Sequence, residues 1–130
     1  MTQYFDNLNE NVRNSILIIA FKLFVYSRLR KLDLMLNYGE FVVITGATDG
    51  IGLEFSKQFA ERGHSLVLIG RNVQKLKNAT DLVSKHLHFG RKVISIVADL
   101  NSNDLSIYHN ITSQLKEYAN KIGILINNAG

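Results

Sequence analysis

The 130-residue chain contains no cysteine and no proline. Without cysteine, a disulfide scaffold, a thiol enzyme and a cysteine-ligated zinc or iron–sulfur site are all excluded. Concentrated charge of one sign is also missing. Lys and Arg number 15 against 11 Asp and Glu, giving a net charge of +4, and residues 1–38 and 39–130 carry +2 each without a long one-sign block. Such an even spread gives no electrostatic footprint for nucleic acid. At 46% hydrophobic and 20% charged, the composition is close to the globular average. This excludes a disordered chain and leaves one domain, or part of one, able to bury a modest core.

A hydrophobic run of membrane-spanning length is absent, but a shorter one opens at Ile16 and closes at Tyr26 (ILIIAFKLFVY), interrupted only by Lys22. As a helix these residues extend roughly 16 Å, against a bilayer core of about 30 Å. Extending the run to Leu36 brings in Arg28, Arg30, Lys31 and Asp33, and the small-residue cleavage site of a secretory signal is lacking. Two readings stay open for this segment, residues 1–38. One is a membrane anchor, monotopic or a shortened span, with Lys22 snorkelling and the Arg28-Leu29-Arg30-Lys31 cluster on the cytoplasmic side. The other is an amphipathic helix packed on the domain or on a partner subunit.

Beyond Tyr38 the pattern changes to short β-branched runs that alternate with helical periodicity. Residues 41–45, 65–69, 92–97 and 123–127 read as buried strands. Three apolar stripes between them predict helices: Ile51, Phe55 and Phe59; Val73, Leu76, Val83 and Leu87; Leu105, Tyr108, Ile111, Leu115 and Tyr118. The resulting β-α-β-α-β-α-β order predicts an α/β fold, a Rossmann-type parallel sheet covered by helices on both faces and incomplete as it stands, preceded by an N-terminal helix.

The chemistry concentrates at the first strand-to-helix turn, Thr45-Gly46-Ala47-Thr48-Asp49-Gly50-Ile51-Gly52. A phosphate-binding turn needs glycine where the backbone bends tightly, where it approaches the ligand and where the helix packs close on its strand. Gly46, Gly50 and Gly52 can fill those roles, and the helix that starts near Gly50 aims free N–H groups and its positive dipole end at a pyrophosphate. No Gly-Lys-Ser or Gly-Lys-Thr follows, which excludes the nucleoside-triphosphate loop. The second strand runs into Gly70-Arg71-Asn72, with Arg71 nineteen residues after Gly52 and no carboxylate nearby. An acidic residue about 20 positions on holds a ribose 2′-hydroxyl, whereas Arg accommodates a 2′-phosphate, so NADP(H) is expected over NAD. At the ends of the third and fourth strands lie Asp99-Leu100 and Asn127-Asn128-Ala129-Gly130. Both fall where ligands sit in open α/β sheets, with Asp99 placed to accept from an adenine amino group and Ala129 and Gly130 small enough for a ribose. The plain alternatives are a solvated Arg71, a capping Asp99 and an ordinary Asn-Asn-Ala-Gly turn.

Together these residues resemble the short-chain dehydrogenases/reductases. That family's T-G-x-x-x-G-x-G turn matches Thr45 to Gly52, its adenine-side Asp matches Asp99, and its N-N-A-G strand end matches Asn127 to Gly130. The resemblance covers residues 39–130, the expected NADP-binding half-domain. Tyr38-Gly39-Glu40-Phe41, Ala47 to Gly52 and Leu68-Ile69-Gly70-Arg71-Asn72 look most like the membrane-bound very-long-chain 3-oxoacyl-CoA reductases, also called 17-beta-hydroxysteroid dehydrogenases type 12. The resemblance implies NADPH, hydride transfer to a ketone of a long-chain acyl-CoA or steroid, and the cytoplasmic face of the endoplasmic reticulum membrane with an N-terminal anchor.

Family chemistry also uses a later Ser and a Tyr-x-x-x-Lys pair, with Lys lowering the Tyr pKa so that Tyr protonates the carbonyl oxygen. None of these is present. Tyr4, Tyr26, Tyr38, Tyr108 and Tyr118 are followed four residues on by Leu8, Arg30, Val42, Thr112 and Ile122. The expectation is therefore the cofactor half of a reductase, from a truncated or degenerate copy and inactive alone, with Asp49 or Tyr118 the first residues to suspect if turnover is found. The alternative is a non-catalytic nucleotide-binding remnant or scaffold protein. Residues 124–126 would then form an open apolar edge, a hazard that the rest of the domain or another subunit of a homo-oligomer should cover. His64, His86, His88 and His109 lack metal-ligand spacing, and the acceptor patterns at Asn78 and Asn110 lie within predicted helices, so neither metal nor glycan is expected.

Overall fold

The computed structural model describes residues 9–129, and the side chains of all of these except residues 28–37. Gly130 and the side chains of Arg28, Arg30 and Lys31 thus lie outside the described residues. The chain divides into two compact units, residues 1–33 and 34–130.

The first unit is dominated by a helix, α1 (Glu10–Tyr38), whose 29 residues extend about 43 Å and which continues into the second unit. Asn9 starts it by accepting from the Asn11 amide at 3.0 Å. Ile16, Leu17, Ile18 and Ile19 are all exposed, as are Phe21, Leu23, Phe24 and Tyr26. Four consecutive exposed residues sweep nearly a full helical turn, so the apolar surface encircles α1 instead of forming one stripe. Among the described residues, no helix is long and apolar enough to cross a membrane.

The second unit carries the α/β order read from the sequence. β1 (Phe41–Thr45), α2 (Gly50–Glu61), β2 (Ser65–Gly70), α3 (Val73–Ser84), β3 (Val93–Val97), α4 (Ser106–Leu115), a 3-10 turn (Lys116–Lys121) and β4 (Ile122–Ile126) follow one another. The four strands form one parallel sheet in the order β3-β2-β1-β4. Alternation along the strands builds two cores. Val42, Ile44, Leu66 and Leu68 face Ala60, Leu76 and Val83 of α2 and α3. Phe41, Val43, Val67, Ile69 and Ile96 face the other way, onto Ile107, Ile111, Leu115 and Tyr118. The strand order reverses between β2 and β4 on either side of β1, which places the switch point at the carboxyl end of β1.

Some of the expected helical stripes are displaced. Ile51 is 69% exposed and Phe55 is also exposed, whereas Gly52, Ser56 and Ala60 are buried. The residues of α2 that are fully buried are thus its small ones, with Leu53 and Phe59 packing beside them against the same core. Leu87 lies beyond the end of α3, and Tyr118 belongs to the 3-10 turn, not to α4. Val73, Leu105 and Tyr108 are exposed. At the β4 edge, Leu125 is 64% exposed.

Candidate functional site

The carboxyl ends of β1, β2, β3 and β4 surround a cleft of about 340 Å³. Of the residues expected there, Thr48, Asp49, Arg71, Asp99, Leu100 and Ala129 line it. Gly46, Gly50, Ile51 and Gly52 do not line it; they form the turn and helix start next to Thr48 and Asp49. Gly46 (φ 62°) and Gly50 (φ 51°) both take left-handed conformations that side chains disfavour. A Cβ on Gly52 would run into the Gly46 carbonyl and stand 2.7 Å from the Asn128 side-chain nitrogen. Glycine there is what lets the helix close onto the turn.

Thr45 and Asn127 act as ties. The buried Thr45 hydroxyl accepts from the amides of Asn128 and Ala129, both at 3.0 Å, and lies 3.3 Å from Asn127 Oδ1. Asn128 Nδ2 donates to the Gly46 carbonyl at 3.1 Å. The end of β4 is thereby fastened to the glycine turn across the switch point. Asn128 was not among the expected site residues. The Asn127 to Gly130 pattern marks the position, but its partner lies 82 residues away in sequence, which no local pattern reports.

Asp49 occupies the N-cap position of α2 in an extended conformation, yet its side chain makes no capping bond. It turns instead to Lys75 Nζ at 3.2 Å. The first amides of α2 thus lack the carboxylate partner that an N-cap Asp usually supplies, which leaves them directed at an anion. Asp99 is more committed, since its Oδ1 accepts from the Asn101 amide at 3.1 Å and shapes the loop after β3. A carboxylate has acceptor capacity left after one such bond.

Arg71 follows β2 directly and is exposed on the cleft wall. Among the described residues its guanidinium makes no hydrogen bond or ion pair. Gly70 makes room beside it: a Cβ there would lie 2.6 Å from the Thr48 methyl. Asn72 Oδ1 accepts from the Lys75 amide at 2.9 Å and starts α3, which brings Lys75 to the same wall. Lys75, Asn72 and Asn101 are cleft residues that the sequence reading passed over. A lone Lys one turn into a helix looks like any solvated base, and only the register of α3 aims it at Asp49.

The Tyr–Lys pairing absent from the sequence spacing occurs elsewhere in space. Lys92 Nζ donates to Tyr118 Oη at 3.0 Å and lies 4.3 Å from the centre of that ring, which stacks on Phe41 at 4.9 Å. The hydrogen bond to Tyr118 is the main cause holding the Lys92 pKa above its usual value. This pair stands at the amino ends of β1 and β3, the opposite end of the sheet from the cleft. Tyr118 is therefore no acid for chemistry at the switch point.

A four-stranded parallel sheet in this order, with a helix N-terminus over a glycine turn that no side chain caps and an Arg at the next strand end that is unpaired among the described residues, defines a Rossmann-type nucleotide-binding fold. The polar walls and an Arg71 without a partner among the described residues fit a dinucleotide phosphate. The family model for short chain dehydrogenase matches residues 40–130, and the chain belongs to that family, the short-chain dehydrogenases/reductases. It is 42% identical over 100 residues to the inactive hydroxysteroid dehydrogenase-like protein 1 of Pongo abelii, covering 75% of this chain and 28% of that protein. It is 38% identical over 92 residues to the very-long-chain 3-oxoacyl-CoA reductase of Bos taurus, covering 71% and 28%. Among solved structures it resembles a short-chain dehydrogenase from Sphingobium yanoikuyae in complex with NADPH, with a TM-score of 0.58 and 39% identity over 69% of this chain and 34% of that one. The chain spans under a third of the length of these curated relatives.

Proposed function

We propose that this chain is the NADPH-binding part of a membrane-associated reductase acting on the ketone of a long-chain 3-oxoacyl-CoA or a steroid. The observation that carries the cofactor choice is Arg71, unpaired among the described residues and standing on the cleft wall where β2 ends. The α2 amides, with Gly46, Gly50 and Gly52, would hold the pyrophosphate, and Arg71 the 2′-phosphate. Asp99 and Leu100 flank the adenine, and Asn127, Ala129 and Gly130 the nicotinamide-side ribose. When bound, NADPH supplies a hydride to a carbonyl carbon. This chain's residues bind and orient, and the developing alkoxide needs an acid; Tyr118 stands at the other end of the sheet, and no Tyr-Lys pair lines the cleft among the described residues.

The proposed substrate class is supported by relatives named 17-beta-hydroxysteroid dehydrogenase type 3 and very-long-chain 3-oxoacyl-CoA reductase. The proposed membrane partner is supported by α1, whose exposed apolar residues between 16 and 26 suit a lipid surface, and the proposed location is the cytoplasmic face of the endoplasmic reticulum. Fluorescence titration tests the cofactor reading. NADPH should bind more tightly than NADH, and Arg71→Ala should weaken NADPH about tenfold, the low end for a charge-assisted contact because the site is open to solvent. Equal affinities for the two cofactors would refute it.

A second reading is supported by a specific observation, the 42% identity to a relative named inactive. In that reading the chain binds the nucleotide without turnover and serves as a scaffold. Both readings require the same cleft, and they separate on reductase activity when this chain is fused to the catalytic half of a relative.

A further inference from the structure

The cleft holds a second cation that the cofactor reading has not used. Lys75 Nζ lies 3.2 Å from Asp49, and both side chains are largely exposed, at 62% and 70%. Lys75 and Arg71 line the same cleft, four residues apart across the first turn of α3. Asp49 contributes a negative charge to a wall that a 2′-phosphate must approach, and no capping bond requires it to be a carboxylate. An uncompensated Asp49 would repel the phosphate, and Lys75 is the group that offsets it.

The geometry points to Lys75 as a specificity-determining residue, a second cation for a 2′-phosphate that Asp49 holds in place until the phosphate arrives. The inference rests on the NADPH reading and adds its mechanism. An exposed ion pair is weak and easily exchanged, because water screens it and ordering two long side chains offsets much of the attraction. A phosphate carries more charge than a carboxylate and more acceptor oxygens, so Lys75 transfers from Asp49 to the phosphate at little cost. NADH offers no such phosphate, and with it the pair stays closed. Discrimination then comes from three groups: Arg71 attracts, Lys75 exchanges, and Asp49 penalises a phosphate that has not drawn Lys75 away.

The test is equilibrium titration of the full chain with NADPH, NADH and 2′,5′-ADP, which carries the 2′-phosphate without the nicotinamide. Lys75→Gln should weaken NADPH and 2′,5′-ADP about three- to tenfold and leave NADH within about twofold. Asp49→Asn should tighten NADPH and 2′,5′-ADP severalfold. Lys75→Gln added to the Asp49→Asn variant should still weaken both, because the contact is direct. Lys77→Gln, on α3 but outside the cleft, should change nothing. Added salt should weaken NADPH more steeply than NADH in the unmodified chain, a readout that does not depend on how any variant folds. If Arg71→Ala abolishes the preference for NADPH while Lys75→Gln leaves the NADPH-to-NADH ratio untouched, the Lys75 inference is overturned and the NADPH reading stands. If the unmodified chain has no preference and Arg71→Ala changes nothing, the NADPH reading itself fails. No cost of Lys75→Gln in the Asp49→Asn background would also overturn the direct contact.

Discussion

His64 is fully buried, and neither ring nitrogen has a partner in hydrogen-bonding geometry. It meets the edge of Phe59 with ring centres 5.5 Å apart. Burial lowers its pKa below 6.5, more than the nearby Glu40 backbone raises it, and the Arg91 and Arg62 charges push in the same direction as burial. Because the folded pKa is the lower one, the unfolded chain takes up the proton first as the pH drops. The contribution of His64 to stability is complete above pH 6.5 and is lost as the pH falls from there towards the folded value. Urea midpoints should therefore decrease between about pH 7.5 and 5.5, and His64→Phe should flatten that decrease. An unchanged slope in the variant would assign the acid sensitivity elsewhere. At this scale the sequence was informative where a residue's task is backbone geometry, as with Gly46 and Gly52, or a strand end, as with Arg71. It was silent on Lys75, Asn128 and the Lys92–Tyr118 pair, whose roles exist only once distant segments meet.

The strands were legible to within one residue because each is a short, mainly apolar run; β1 and β2 are buried along their whole length, whereas β3 and β4 are partly exposed. Helix faces were less so. The Ile51–Phe55 stripe looked like the buried side of α2, but the close approach that Gly52 permits turns the small residues inward. Gly52→Ala should accordingly cost about 1 to 3 kcal/mol by overpacking against the Gly46 carbonyl and Asn128, and nucleotide affinity should fall with it. Thermal denaturation with and without NADPH measures both, and a stable Gly52→Ala variant with full affinity would contradict the packing. Asn72 gives a separable test on α3. Asn72→Ala should cost about 1 kcal/mol for the lost cap, and Asn72→Ser should restore most of it. Asn72→Asp should keep the cap while weakening NADPH, since it adds a carboxylate to the phosphate wall.

At the scale of the molecule, the chain has two units, each with its own surface. A fusion of residues 1–38 should float with liposomes, and Lys or Glu substitutions at Ile18, Phe21 and Phe24 should release it to the soluble fraction. Retention of the charged variant would exclude the apolar surface as the anchor. The chain alone should show no NADPH oxidation above background with 3-oxoacyl-CoA or steroid ketones, because positioned acid–base chemistry contributes about 10²- to 10⁴-fold and no cleft residue supplies it. The central claim is that the carboxyl edge of the sheet binds a 2′-phosphorylated dinucleotide. Backbone amide chemical shifts recorded during titration with 2′,5′-ADP test it most directly. Shifts should concentrate at residues 46–52, 70–75 and 99–101, with 5′-AMP leaving residues 71–75 nearly unmoved and α1 unaffected by either. Equal responses of residues 71–75 to both ligands, or shifts centred on Lys92 and Tyr118, would contradict the account.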